Sequence, residues 1–135
     1  MQFTNELKYS KEHTWLLVEG DAGIVGITEF AQSEMGEIVY VDLPSIGKPF
    51  KQDEVFGSVE AIKTVSDLFM PAGGAITEIN PALKDDPTLI NTDPFNSGWL
   101  LKINLDDITQ LDSLLNTEAY PAINYLISPI TITYP

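Results

Sequence analysis

The 135-residue sequence has no cysteine and no arginine, and its only histidine is His13. Without cysteine there is no disulfide, no thiol nucleophile and no thiolate metal site. Without arginine there is no forked donor of the kind that grips phosphate or guanine. The 7 basic residues are all lysines and face 20 acidic residues, for a formal net charge of −13. Such a field repels polyanions, so neither nucleic acid nor an anionic membrane is an expected partner, whereas proteins with basic docking surfaces are. No apolar run approaches the ~18 residues of a membrane span. The N-terminus, MQFTNELKYSKEHTW, has neither an apolar signal core nor an arginine-rich transit pattern, which points to a soluble, unexported protein of the bacterial cytoplasm. There is no G-x-S-x-G elbow, P-loop or dinucleotide fingerprint. The acid pairs Asp85–Asp86 and Asp106–Asp107 lack the alternating ligand spacing of a calcium loop. No catalytic residue and no metal ligand is therefore expected.

What is present is short and mostly extended. TWLLVEGDAGIVGI (14–27) reads as two strands around a turn. In TEFAQSEMG (28–36), Thr28 is a helix cap, Glu29 suits the first turn and Gly36 ends the helix. EIVYVDLP (37–44) alternates and stops at Pro44, so a strand is expected, with SIGKPF as a turn. Residues 53–71 are β-rich on both sides of Lys63, with Val55, Gly57, Val59 and Ala61 on one face, which predicts a hairpin tipped by Lys63. GGAITEIN (73–80) and WLLKINL (99–105) read as strands, and 81–98 as a loop with at most one helical turn. Ile108, Leu111, Leu114 and Leu115 have helical spacing, Pro121 suits the start of a second short helix, and SPITITYP looks extended. The fold class expected is mainly β: a flattened barrel or sandwich of two sheets with a few short helices, as one domain over 1–135. On the residues alone, Lys63 is an ordinary solvated lysine, since a Schiff-base role would need burial.

Several blocks in order change that reading. LKYSKEHTW (7–15), VGITEFAQ (25–32), MGEIVYVDLPSIG (35–47), VEAIKTVSD (59–67), GGAITEIN (73–80), LINTDPFNSGWLLKI (89–103) and LDSLLNTEAY (111–120) together resemble the glycine cleavage H-protein family. The resemblance spans nearly the whole chain except an apolar tail of about a dozen residues, where the family is usually acidic.

The resemblance implies a lipoyl-domain-like fold and a non-catalytic carrier with lipoate amide-linked to Lys63. Glu60, Ser66 and Asp67 match the family's modification turn; Ala61, Ile62 and Thr64 are mild departures within it. Ile62 and Thr64 stand where biotinyl domains carry methionines, which favours lipoate over biotin. The implied carrier takes an aminomethyl group from a pyridoxal-phosphate glycine decarboxylase (P protein) to a tetrahydrofolate-dependent aminomethyltransferase (T protein). It passes electrons to dihydrolipoyl dehydrogenase (L protein) and is loaded by a lipoate ligase or a lipoyl/octanoyl transferase. A monomer is expected. The loaded arm is expected to fold back near Glu12, His13, Thr14 and Phe30. Thr14 stands where the family usually has glutamate and Phe30 where it often has histidine, so Thr14 offers a hydrogen bond but no charge there. Those two departures keep open a lipoyl relay outside glycine cleavage, and an unmodified binding module is the remaining alternative.

Overall fold

The computed structural model describes residues 7–116. Two antiparallel sheets carry the fold. The larger is six-stranded, in the order β1-β2-β3-β9-β8-β5: β1 (Leu7–Tyr9), β2 (Thr14–Glu19), β3 (Ala22–Ile27), β5 (Pro49–Phe50), β8 (Gly74–Ile79) and β9 (Leu101–Leu105). The smaller has the order β4-β6-β7: β4 (Ile38–Asp42), β6 (Val55–Ala61) and β7 (Val65–Phe69). The sheets form a sandwich and do not close into a barrel. Their inner faces enclose one apolar cluster that includes Leu16, Val25, Ile38, Val59, Met70, Ile76, Leu101 and Ile103, all essentially without exposure. A second cluster of Leu7, Tyr9 and Trp15 lies under Phe95 and Trp99. The Trp15 indole N–H donates to the carbonyl of Pro94, which satisfies the polar end of a fully buried ring.

Local chemistry accounts for the elements beside the hairpin. Helix α1 (Glu29–Met35) starts where the Thr28 hydroxyl accepts the Ala31 N–H. It ends at Gly36, whose φ of 84° suits glycine. Between β1 and β2 the chain turns through His13 at φ 66°, and its N–H donates to the Ser10 carbonyl. That turn drives the imidazole inward against Phe30, with ring centroids 4.8 Å apart.

Several expectations need correction. SIGKPF is more than a turn: Pro49–Phe50 pair with Gly74–Ala75. The 81–98 segment holds two short helices, α2 (Ala82–Asp85) and α3 (Leu89–Thr92), because Leu83 and Ile90 insert into the core. Residues 108–113 form a 3-10 helix capped by Asp107. Its register differs from an α-helix because Leu111 and Leu114 reach the core while Ile108 stays 61% exposed. In β6 a bulge between Val55 and Gly57 moves Phe56 inside and leaves Val55 exposed. The expected helix at Pro121 and the extended end lie outside the described residues.

Candidate functional site

The β6–β7 hairpin positions Lys63. Cross-strand pairs Ser58–Asp67, Val59–Ser66 and Glu60–Val65 hold the strands in register, and the Ala61 N–H donates to the Thr64 carbonyl at 2.8 Å. Beyond that bond the chain reverses through Ile62 and Lys63, both exposed. No carboxylate among the described residues pairs with the Lys63 ammonium. Its amine is thus open to another protein's cleft, and acylating it breaks no ion pair among the described residues.

The turn residues singled out from the sequence divide by face. Ala61, Thr64 and Ser66 are buried and shape the tip from within. Ile62, 69% exposed, and Asp67 face solvent, with Glu60 half-buried. Across the outer face run the rows Tyr40–Glu60–Val65 and Asp42–Ser58–Asp67, which place three carboxylates and two apolar side chains beside the tip. Beneath this face Gly57 packs so closely on β4 that a Cβ would overlap the Asp42 carbonyl oxygen.

Thr64 carries an anomaly. It is 2% exposed and its hydroxyl has no hydrogen-bond partner among the described residues. A buried unmade hydrogen bond costs about 1–3 kcal/mol. Thr64→Val, which keeps the shape, is expected to raise stability by about 1 kcal/mol and leave acylation of Lys63 unchanged. Chemical denaturation checks it; equal or lower stability would show that the hydroxyl is satisfied in solution.

The expected arm-pocket residues cluster at the other end of the hairpin. The Thr14 hydroxyl bonds the Ser10 hydroxyl at 2.6 Å and donates to the Phe69 carbonyl at 3.3 Å. Phe69 lies six residues along the chain from Lys63, roughly 20 Å by strand rise. Thr14 and His13 are buried, at 1% and 2% exposure, so neither side chain is open to an arm from outside. Glu12 is exposed and, with Gln52, Asp53 and Ser113, lines a pocket of about 240 Å³. Of the four residues expected at the arm pocket (Glu12, His13, Thr14 and Phe30), Glu12 alone presents a carboxylate there, while Phe30 packs against the His13 ring.

Burial lowers the His13 pKa from 6.5 to about 4. The fold therefore favours neutral imidazole. Its contribution is complete above pH 6.5 and is lost as pH falls towards 4, because the unfolded chain then binds the proton more readily. The span corresponds to at most about 3 kcal/mol. His13→Asn, which tolerates the left-handed turn, is expected to flatten the stability profile between pH 6.5 and 4. Denaturation midpoints across that range test it, and an unchanged slope would contradict it.

Sequence reasoning missed Gly57 and a groove along β4. The groove depends on Leu83 and Pro87, in the segment read as loop. The available signal was Pro81 followed by the helix formers Ala82, Leu83 and Lys84.

Comparison with known proteins converges on one family. The sequence model described as Glycine cleavage H-protein matches residues 7–125. The chain belongs to the glycine cleavage H-protein family. It is 54% identical over 117 residues to a glycine cleavage system H protein of Symbiobacterium thermophilum, covering 87% of this chain and 91% of the relative. It is 47% identical over 123 residues to one of Bacteroides thetaiotaomicron, covering 91% and 98%. Among solved structures, a glycine cleavage system H protein from Mycobacterium marinum superposes with a TM-score of 0.82 at 36% identity, covering 91% of this chain and 99% of that one. Members of the family are non-catalytic lipoyl carriers in glycine cleavage, and the chain falls in that class. Among the described residues no helix is long and apolar enough to cross a membrane, and no three histidine, aspartate or glutamate side chains gather as a metal site.

Proposed function

We propose that Lys63 is the attachment point of a covalently bound lipoyl group and that this protein carries aminomethyl groups between the enzymes of glycine cleavage. The observation that carries the site assignment is the exposed Lys63 at a tight hairpin tip, without an ion pair among the described residues, inside the block VEAIKTVSD. The attached group supplies a disulfide that can be reduced, loaded and reoxidised, chemistry that no side chain of this cysteine-free protein offers. The protein contributes position. A rigid two-stranded tip projects the arm away from the body, and tethering raises the arm's local concentration at each docked partner.

Recognition falls to the accessible residues of the turn. Ile62, Glu60 and Asp67 are the contacts offered to a lipoate ligase or lipoyl/octanoyl transferase, while Ala61, Thr64 and Ser66 hold the turn's shape. The decarboxylase, the aminomethyltransferase and dihydrolipoyl dehydrogenase are the partners in transfer. The outer-face carboxylates Asp42, Glu60 and Asp67 steer partners with basic surfaces towards the tip. For an arm with cationic cargo, Glu12 and Asp53 supply the carboxylates that Thr14 lacks, in a pocket that Lys11 also lines.

Incubation with a lipoate ligase, lipoate and ATP is expected to add one lipoyl group to the intact mass, all of it on Lys63. Modification of another lysine, or uptake by Lys63→Ala, would overturn the site assignment.

A further inference from the structure

We infer that the groove along the free edge of β4 is a berth for the lipoyl arm in its uncharged state. The inference rests on the reading that Lys63 carries that arm.

β4 is an outer strand of its sheet, with β6 on one side only. Along its other side runs a groove of about 380 Å³, walled by Val39, Val41, Leu43, Ile79, Leu83 and Pro87. A register shift between Ile38 and Tyr40 leaves Val39 47% exposed at the end of the groove nearest the tip. The buried Asn80 in the wall has no spare polarity. Its amide donates to the carbonyls of Ser97 and Trp99, and its oxygen accepts the Ala82 N–H. The charges at the rim, Asp42 and Lys84, have opposite signs. The groove therefore offers mainly hydrocarbon, with one charge of each sign among its lining residues.

Its position selects the occupant. Ile38 pairs with Ala61 and Tyr40 with Glu60, so the groove opens two to three residues back from Lys63, roughly 10 Å along the hairpin. The lysine stem and acyl chain together span about eleven bonds, which at three bonds per residue reach roughly 13 Å when extended. An apolar chain and ring tethered at this distance can bury surface here with little loss of freedom beyond the tether. A cationic cargo gains nothing from apolar walls and must stay hydrated or find a carboxylate. The groove thus holds the uncharged arm and gives up the charged one.

The test compares unmodified and lipoylated protein, with intact mass measured first. Amide NMR spectra are expected to shift along Val39–Leu43 and at Leu83–Lys84 as well as at the tip. Reduction of the ring by a water-soluble phosphine is expected to run about tenfold slower than for free lipoamide, the protection given by burying about two methylenes. Val39→Asp, at an exposed position, is expected to return both the shifts and the rate towards unprotected values. Shifts confined to Ile62–Thr64, or moved to the Glu12–Asp53 pocket, would overturn the berth while the mass still upheld Lys63. Absence of lipoyl mass would overturn both readings.

Discussion

Lys63→Arg should give a folded protein that supports no glycine–bicarbonate exchange with its cognate decarboxylase above the rate without carrier. Arginine keeps charge and length, and among the described residues Lys63 makes no ion pair, so the substitution is expected to leave stability within about 0.5 kcal/mol. What disappears is the amine that forms the amide bond. The expected loss is at least about a thousandfold, because a tethered arm replaces a bimolecular encounter and its effective molarity has no substitute in the remaining side chains. Residual exchange above background would place a carrier group elsewhere. The matching thermal unfolding curve separates this loss from misfolding.

Gly57→Ala has the largest expected effect on stability. Gly57 sits in β6 directly against β4, and an added Cβ would overlap the Asp42 carbonyl oxygen. That neighbour is backbone, so relief requires the two strands to separate or slide. The expected loss is about 3 kcal/mol, at the upper end of the usual overpacking range. For a chain of this size that lowers the melting temperature by roughly 10 °C. The same displacement would disturb the pairing that carries Lys63 and the opening of the β4 groove, so ligase-catalysed acylation is expected to slow as well. Calorimetry checks the first effect. A melting temperature within about 2 °C of the parent would show that β4 yields without loss.

These two sites were not equally legible in the sequence. The hairpin around Lys63 was, because apolar strand residues flank a lysine at its centre. The caps of α1 were also visible, since Thr28 and Gly36 act through local hydrogen bonding and φ alone. What escaped depends on distant neighbours. The two residues of β5 form a strand only because Gly74–Ala75 lie opposite, and β1 because β2 folds back onto it. Strict alternation puts Val55 on one face with Val59 and Ala61, but the bulge leaves Val55 exposed and brings Phe56 inside. Helices α2 and α3 arise where Leu83 and Ile90 reach the core from a segment whose prolines and aspartates read as loop.

The site shows the same division. Lys63 came from the ordered blocks of resemblance, and its exposure agrees with a modifiable tip. Thr14 was noticed as a lost carboxylate, but its burial under a hydroxyl pair with Ser10 was not visible, because β2 begins covered on both faces. The β4 groove draws walls from strand, helix and loop, and no linear spacing announces such an assembly.

The most direct test of the account is the mass of the Lys63 peptide in protein taken from its own cells. The account predicts a peptide heavier by one lipoyl group, with fragment ions placing the addition on Lys63. A native peptide with a free lysine, in cells whose other lipoyl proteins are modified, would contradict it.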